Sequence, residues 1–440
     1  MPELRKDLSL FGLVMVAIGA AIGGGIFTTP ASIAKELPSP QLIAMVWTLG
    51  GLITLTGALT YAELGGMFPK AGGIYVYLRE AYGDMVAFLY GWTMLTVTTT
   101  ASIAALALTF GLYMDSIYHI GYNGITGVSI AAIVLVTFIN LFGVKLSQRF
   151  LSWLTSGKII GILMLIGVGI WFAWHNKGAV LEASFANGQS PKNLSTAFAT
   201  ALIGVLFSYG GWQHTSFLAG ETQDAERRIP RAMIVGAFAI IVIYLLANFA
   251  YLSILPLQKI NASTAIATDA LTQVIGLSGG LLIAILIAVS TLGTMSIYTL
   301  STPRIYYAMA QDGLFFKSLA KLHPVYHTPA NAILLQSIWA IFLLLMWGTF
   351  EKLINYVVFI DWIFFSLTAI AVFVFRFKRP ETLRPYRTWF YPFTPLVFIG
   401  ISLWFVCSTL LEKPEQALAG LVLLGAGIPI YYVFKTKYKI

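Results

Sequence analysis

Two short runs of glycine interrupt long apolar segments. Of the patterns in this chain, they point most directly to a site where the backbone binds a ligand. Residues 21–27 read Ala-Ile-Gly-Gly-Gly-Ile-Phe, and residues 207–212 read Phe-Ser-Tyr-Gly-Gly-Trp. Glycine in a helix interior costs about 1 kcal/mol relative to alanine, so each run predicts a break in a helix. A broken helix leaves carbonyls free where its first half ends and N–H groups free where its second half begins, with matching dipole charges.

Those free backbone groups predict a ligand that carries both a positive and a negative charge. We expect the N–H groups of Gly24 and Gly25 to hold a carboxylate. The carbonyls of Ala21, Phe207 and Ser208 are expected to hold an ammonium. An α-amino acid carries both groups on one carbon, so its zwitterion fits such a site. The substrate-binding residues predicted on this basis are Ala21, Ile22, Gly24, Gly25, Phe207, Ser208 and Gly210.

The segments that carry the glycine runs have the composition of a membrane protein. Of 440 residues, 58% are hydrophobic and 10% are charged, and the mean hydropathy is +0.81, whereas soluble domains carry about 25% charged residues. This excludes a soluble enzyme, a disordered scaffold and a secreted disulfide protein. The single cysteine, Cys407, is expected to be a small packed core residue. Apolar runs of spanning length predict an all-α polytopic protein with twelve transmembrane helices, near residues 8–35, 40–66, 83–114, 124–143, 151–174, 194–221, 230–255, 272–303, 328–348, 353–376, 392–411 and 416–435.

The basic residues predict how these spans are oriented. If the N-terminus is inside, 20 of the 27 Lys and Arg residues lie in inner segments and 6 in outer loops, while Lys158 lies within a span. Lys and Arg accumulate on the cytoplasmic side of membrane proteins. We therefore expect a protein of the cell membrane with both termini in the cytoplasm.

The two glycine runs also indicate an internal repeat. Gly210 and Gly211 follow Gly24 and Gly25 by 186 residues, and five spans separate the starts of the two units. Because five is odd, the second unit must be inverted relative to the first. Glycine-interrupted spans at matching positions of two halves are typical of a transporter site near the bilayer midplane. We predict inverted repeats over residues 8–175 and 194–376, followed by the last two spans over 392–435.

A set of motifs along the chain resembles a known group of membrane proteins. The motifs are GGGIF at 23–27, YAELG at 61–65, FP at 68–69, GGIY at 72–75, FSYGGW at 207–212, PR at 303–304, AQDG at 310–313 and RPY at 384–386. Their order and spacing resemble the amino acid–polyamine–organocation superfamily over spans 1 to 12, and FSYGGW is similar to its L-type amino acid transporter family. The resemblance implies a LeuT-like five-plus-five inverted repeat with broken helices 1 and 6. It also implies sodium-independent amino acid exchange, as in prokaryotic alanine/serine/cysteine exchangers.

Two departures from that family pattern carry expectations of their own. The first break of family members commonly reads Gly-Ser-Gly, whereas Gly24 stands in the middle here and removes a hydroxyl from the carboxylate site. The backbone donors remain. Eukaryotic members use a cysteine in the outer loop after span 3 to bond a heavy chain, and residues 114–123 contain none. We therefore expect no disulfide-linked heavy chain.

Lys158 is the residue expected to take part in coupling, together with Tyr244. Lys158 lies roughly 12 Å along span 5 from its inner end, where burying a charge is costly. In LeuT-like sodium symporters a cation bridges spans 1 and 8 near this depth. The resemblance thus implies that the Lys158 ammonium replaces the ion, donating to span 1 carbonyls and to hydroxyls such as Ser290 or Thr291. Tyr244 lies in the middle of span 7 and is assigned to gating, with ordinary packing as the alternative.

The other polar residues of the spans receive weaker expectations. Glu63 and Glu221 lie near inner helix ends and are expected to be solvated by loop residues. Asp361 is placed shallow on the outer side of span 10 without a role, and His214 is expected to pack rather than relay protons. A side-chain pocket is expected from some of Thr96, Thr98, Thr99 and Thr100. No metal ligand spacing links His119, His175, His214, His323 and His327, and no cofactor is predicted.

These features favour a secondary transporter of amino acids over other classes. A channel needs a continuous polar pore lining, an intramembrane enzyme needs paired catalytic groups, and the spans show neither. A primary pump needs a nucleotide-binding domain, which is missing from the sequence. Because no acidic or arginine residue flanks either break, neutral amino acids are the expected substrates, and the resemblance to prokaryotic members implies small ones such as alanine, serine, cysteine or threonine. Exchange and proton-coupled symport both remain open.

Overall fold

The structure is a computed structural model that describes residues 4–142, 144–186, 191, 193–347, 350–412 and 414–438. Its side chains are described except at 116, 144–149, 186, 347, 350–358, 412, 416, 437 and 438. Among the basic residues of the orientation count, Lys192, Lys413 and Lys439 lie outside the described residues, as do the side chains of Lys145, Arg149, Lys352 and Lys437.

The described chain is helical throughout, apart from one bridge between Leu8 and Thr222. In chain order the helices are α1 (Leu10–Ala21), α2 (Gly25–Glu36), α3 (Pro40–Met67), α4 (Ile74–Tyr82), α5 (Asp84–Thr93), α6 (Thr99–Tyr118), α7 (Gly121–Leu141), α8 (Val144–His175), α9 (Ala179–Ala186), α10 (Leu194–Ser208), α11 (His214–Phe217), α12 (Ala225–Ile254), α13 (Leu257–Ala262), α14 (Ile266–Ile275), α15 (Leu277–Ser301), α16 (Pro303–Gln311), α17 (Ala330–Trp347), α18 (Phe350–Lys378), α19 (Phe393–Glu412) and α20 (Pro414–Tyr438). A π-helical turn, Met94–Thr98, joins α5 to α6.

The lengths and composition of these helices confirm an all-helical polytopic membrane protein. Within the described residues, ten helical segments are long and apolar enough to cross a membrane. The predicted sixth and ninth spans correspond to shorter apolar helices, Leu194–Ser208 and Ala330–Met346. The count of twelve spans, the inverted repeats and the cytoplasmic termini stay predictions. We use "inner" below for the side that the basic residues predict to be cytoplasmic.

Both glycine runs coincide with breaks in a helix. The first predicted span divides into α1, which ends at Ala21, and α2, which begins at Gly25. The sixth divides after Ser208, and α11 begins at His214. Gly211 has a φ of +117°, a backbone conformation that L side chains rarely adopt. The glycines therefore supply the conformational freedom that the breaks require.

The two breaks touch each other through their backbones. A Cβ added to Gly211 would lie 2.6 Å from the carbonyl carbon of Ala20 and 2.6 Å from the nitrogen of Ala21. No side chain fits in that space. The second break thus packs directly on the end of α1, and only glycine at 211 permits the approach.

Glu63 and Glu221 are buried in ion pairs. The prediction that loop residues solvate them is wrong for Glu221, which pairs with Arg304 of α16, whereas Glu63 is bound by the loop residues Arg384 and Thr388 as well as by Arg376 of α18. The carboxylate of Glu221 receives Nη2 of Arg304 at 2.8 Å and Nε at 3.0 Å, with both side chains buried. Glu63 receives Arg376 at 2.7 and 3.0 Å and the Arg384 guanidinium at 3.3 Å. These pairs join chain segments that are far apart in sequence at the inner ends of the helices.

The motifs of the sequence analysis contact one another at that inner end. Tyr75 of GGIY donates to Asp312 of AQDG at 2.9 Å, and Arg79 pairs with the same carboxylate at 2.6 Å. Burial, together with the Asp312 carboxylate beside it, raises the pKa of Tyr75 above its usual range and keeps the phenol a neutral donor. Glu63 of YAELG meets Arg384 of RPY. These motifs therefore contribute to polar clusters at the inner end, one that joins α4 to α16 and one that joins α3 to α18 and the loop after it.

Cys407 is exposed on α19, so its prediction as a packed core residue is wrong. An apolar run in a membrane helix is compatible with either a protein-facing or a lipid-facing position, because lipid tails are as apolar as a core. The residues around Cys407 show no helical periodicity that distinguishes a protein-facing position from a lipid-facing one.

The Glu221–Arg304 pair yields a prediction about stability. Glu221→Gln leaves the Arg304 charge buried without its counter-ion, which typically destabilises a protein by about 3–5 kcal/mol. We expect a clear fall in the midpoint of thermal unfolding of the purified protein in detergent. Glu80→Gln is the matched control, because Glu80 pairs with Arg379 at the exposed surface, where such pairs contribute about 0–1 kcal/mol. Equal midpoints for the two variants would contradict the prediction.

Candidate functional site

A small cavity lies between the two breaks. It brings together six of the seven residues predicted to bind substrate, all except Ile22. The lining consists of Ala20, Ala21, Gly23, Gly24, Gly25, Ser102, Ala105, Leu106, Phe207, Ser208, Gly210, Thr294 and Tyr298. Both helix breaks, α6 and α15 therefore contribute to one site.

The start of α2 offers backbone donors to this cavity. Among the described residues, no acceptor reaches the N–H of Gly24 or of Gly25. The first N–H groups of a helix have no partner within the helix, and the helix dipole places a partial positive charge there. An anionic group in the cavity would therefore find two free donors where the sequence analysis places the carboxylate.

The carbonyls of the first break are largely occupied, contrary to the simple expectation. The Ala21 oxygen accepts the Tyr244 hydroxyl at 2.6 Å and the Gly23 N–H at 2.7 Å. In the second break, no hydrogen bond from a described residue reaches the carbonyl of Ser208 at the end of α10. The acceptor available to an ammonium thus lies in the second break, and Ala21 serves Tyr244 instead.

Lys158 is buried beside the first break and donates hydrogen bonds to carbonyls that the break leaves free. Its Nζ lies 2.8 Å from the oxygen of Gly19 and 2.9 Å from that of Ile22. The third partner is the hydroxyl of Thr294, at 2.8 Å. Gly293 makes room for this side chain, because a Cβ there would lie 3.2 Å from Cε of Lys158. Ile22 therefore belongs to the lysine site and does not line the cavity.

The hydroxyls around Lys158 differ from those the sequence analysis named. Thr294, and neither Ser290 nor Thr291, contacts the ammonium. Ser290 donates to the Ile22 carbonyl at 3.0 Å, so it shares an acceptor with the lysine. Thr291 donates to Ala288 of its own helix. Naming Ser290 or Thr291 as the direct partner is therefore wrong, although Ser290 belongs to the same cluster.

A second cavity adjoins the first and contains the carboxylate of Asp361. It is lined by Tyr90, Met94, Thr98, Thr99, Ser102, Leu206, Phe207, Gly210, Gly211, Gln213, His214, Tyr298, Asp361, Trp362 and Phe365. Asp361 thus faces the second break, and the premise that no acidic residue flanks either break is wrong. Of the four threonines considered, Thr98 and Thr99 line this cavity, on either side of the junction between the π-helical turn and α6.

His214 is held by packing and one hydrogen bond. Its ring stacks on Tyr298 with centroids 4.2 Å apart, and Nδ1 lies 2.7 Å from the Ser301 hydroxyl. This is the packing role that the sequence analysis favoured. No group of three His, Cys, Asp or Glu side chains in the described part of the chain has the geometry of a metal site.

Two broken helices that meet at a cavity in a bundle of apolar helices define a membrane transporter for a small molecule. Residues 8–419 match the family model described as amino acid permease. The chain therefore belongs to the amino acid permease family of the amino acid–polyamine–organocation superfamily, as its motifs indicated. It is a transporter and not an enzyme.

Individual relatives support the same family. The chain is 32% identical to the serine/threonine exchanger SteT of Bacillus subtilis, over 99% of this chain and 98% of that protein. It is 30% identical to the large neutral amino acids transporter small subunit 2 of Oryctolagus cuniculus, over 98% and 80%. It is 28% identical to the human cystine/glutamate transporter, over 98% and 86%.

The two central glycines of the first break give a matched pair of variants. A Cβ on Gly25 would lie 2.9 Å from Oγ and 3.0 Å from Cα of Ser208, so it pushes α2 away from α10. A Cβ on Gly24 would meet only Thr109, at 3.8 Å. We expect Gly25→Ala to lower amino acid uptake roughly tenfold or more by displacing the donors, and Gly24→Ala to stay near wild type. Uptake into proteoliposomes, with thermal unfolding as the check on folding, measures both. Similar uptake by the two variants would contradict this account.

Proposed function

We propose that this protein exchanges small neutral L-amino acids across the cell membrane by alternating access, without sodium. The observation that carries the proposal is the Lys158 ammonium, which joins α8 to the unwound end of α1 and to α15. Membership of the amino acid permease family supports the substrate class. One relative is named a serine/threonine exchanger, which supports small neutral substrates, and another is named a large neutral amino acids transporter, which supports neutral substrates in general.

The surroundings of Lys158 argue against a sodium ion at this position. Carbonyl and hydroxyl oxygens such as those of Gly19, Ile22 and Thr294 are ligands that a hard cation also prefers. Here they already surround an ammonium at 2.8 to 2.9 Å. A second cation among the same oxygens would meet both a steric clash and like-charge repulsion. We infer that a fixed charge does permanently what an ion would do transiently.

The proposed substrate pose uses backbone groups for both charges. The carboxylate lies on the free N–H groups of Gly24 and Gly25, and the ammonium lies near the Ser208 carbonyl. Every α-amino acid presents these groups alike, so the breaks recognise the class and the rest of the cavity selects the side chain. Phe207 lines both cavities and covers the boundary between them.

Gating is proposed to act through the end of α1. Lys158 and Tyr244 both bind carbonyls at that end, from α8 and α12 respectively. Movement of α1 away from the bundle requires both contacts to break. The protein is proposed to work without a disulfide-linked heavy chain and with both termini in the cytoplasm.

The coupling mode can be measured directly. We expect uptake of labelled serine into proteoliposomes to need internal amino acid and to keep its rate when sodium is replaced by choline at fixed osmolarity and pH. The physical reason is the occupied cation position at Lys158. Uptake into empty vesicles that is driven by a proton gradient would favour symport, and a steep sodium dependence would contradict the proposal.

Lys158→Ala tests the gating role. The variant removes two hydrogen bonds from an ammonium to α1, although the Thr294 and Ser290 hydroxyls still donate to the same carbonyls, and a hydrogen bond to a charged group contributes about 1.5–3 kcal/mol. A few kcal/mol suffices to shift the populations of a two-state transporter. We expect slower exchange, a shift towards the inward-open state, and apparent affinities that change more on one face of the membrane than on the other. Oriented proteoliposomes give the affinity on each face.

Two further variants calibrate that experiment. Ser290→Ala removes one donor from Ile22 and leaves Lys158 in place, so its effect should be smaller in the same direction. Lys35→Ala removes an exposed lysine of α2 and should behave as wild type. If Lys158→Ala matched Lys35→Ala on both faces, Lys158 would have no part in gating.

A further inference from the structure

Asp361 carries a carboxylate inside the helix bundle without a counter-ion. No Lys, Arg or His side chain of the described residues pairs with it, in contrast to Glu63 and Glu221. Ionisable groups within membrane spans usually pair with one another or mark the path of a substrate. The nearby His214 is already engaged by Ser301 and Tyr298. The partner of this carboxylate is therefore to be sought among the contents of the cavity.

Two hydroxyls near Asp361 lack a hydrogen bond of standard geometry. The Oγ1 atoms of Thr98 and Thr99 are buried and make no such bond to a described residue, although Thr98 faces the Asp361 carboxyl group and Thr99 faces the Tyr306 hydroxyl. Other hydroxyls of the same segment bond their own backbone, as Thr96 does to Trp92 and Thr100 to Leu95. Buried polar atoms without partners call for an explanation, such as a ligand. Thr98, Thr99 and Asp361 together form a polar end of the second cavity.

That polar end belongs to a cavity that adjoins the substrate cavity. Both cavities are lined by Ser102, Phe207, Gly210 and Tyr298. An amino acid whose charged groups lie on the two breaks can extend its side chain only into space that the breaks border. The second cavity is such a space, since Gly210 and Gly211 of the second break line it.

We propose that Asp361 selects substrates whose side chain ends in a hydrogen-bond donor, a hydroxyl or an amine. The oxygens of a carboxyl group accept hydrogen bonds, and a hydrogen bond from a side-chain ammonium is charge-assisted and therefore stronger. A hydroxyl or ammonium of the side chain satisfies Asp361, whereas a methyl group leaves the carboxylate desolvated and unpaired. The Thr98 and Thr99 hydroxyls can donate to Asp361 or accept from the ligand. This inference rests on the proposed function and extends its substrate class to small amino acids with a side-chain amine.

Isosteric pairs of amino acids test this selection. Threonine and valine differ by a hydroxyl in place of a methyl, and 2,4-diaminobutyrate and norvaline differ by an ammonium in place of a methyl. We expect wild-type protein in proteoliposomes to favour the donor-bearing member of each pair, in kcat/KM, by about tenfold to a hundredfold. Asp361→Asn keeps one acceptor oxygen but cannot carry a charge, so both ratios should fall towards one, and the 2,4-diaminobutyrate/norvaline ratio should fall further than the threonine/valine ratio.

Control variants separate recognition from folding. Ser366→Ala removes a buried hydroxyl on the same helix that bonds its own backbone and lines neither cavity, so it should keep the wild-type ratios. Asp361→Glu retains the carboxylate and should retain part of the preference. If Asp361→Asn does not fold, Thr98→Val probes the same end of the cavity and should lower both ratios.

The outcomes distinguish this inference from the function on which it rests. Wild-type protein that takes up alanine but treats threonine and valine alike would overturn the role of Asp361 and leave the proposed exchange intact. Unchanged ratios in Asp361→Asn would overturn it equally. Wild-type protein that transports no amino acid at all would overturn the proposed function itself.

Discussion

The backbone left unpaired where α1 ends is the constraint on which the rest of this structure depends. A membrane provides no water to satisfy free carbonyls, so an unwound segment persists only where protein groups or a polar cavity complete it. Here the carbonyls of Gly19 and Ile22 accept Lys158, and the carbonyl of Ala21 accepts Tyr244. The carbonyl side of the break is thus closed by the protein. The donor side, at Gly24 and Gly25, is left open to the cavity.

Because only the donor side of the first break is open to the cavity, the two breaks have different roles. The first break supplies donors to the cavity and uses its acceptors to hold α1 in place. The second break supplies an acceptor at Ser208 and contacts the first through Gly211, whose missing side chain lets the backbones meet. Because the breaks are in direct contact, a shift of α1 changes the shape of the cavity and the inner contacts together. In the proposed transport cycle, binding and gating are therefore mechanically linked.

The sequence predicted features that are local in the chain and missed those that depend on distant partners. Glycine runs report helix breaks directly, and a lysine inside an apolar span announces a buried charge, so both were found. Glu221 meets Arg304 from 83 residues away, a pairing that spacing cannot give. The position of Asp361 at a cavity was not predicted, because a helix that is apolar on all sides does not show in its sequence which side faces a cavity. Thr294 could have been predicted as a partner of Lys158. Ser290 was predicted as such a partner, and residues four apart lie on the same face of a helix.

A fixed ammonium and a mobile ion differ in what they allow a transporter to do. A sodium ion binds and leaves, so its gradient can drive the cycle in one direction. Lys158 cannot leave the protein. Its attraction for the carbonyls of α1 therefore does not depend on an ion gradient across the membrane. In the proposed cycle, the substrate alone distinguishes the states, and its binding must offset the breaking of contacts around Gly19, Ile22 and Ala21. An empty carrier lacks that compensation and returns slowly. Exchange of one amino acid for another then follows, because the charge of Lys158 is part of the protein and cannot dissociate as an ion does.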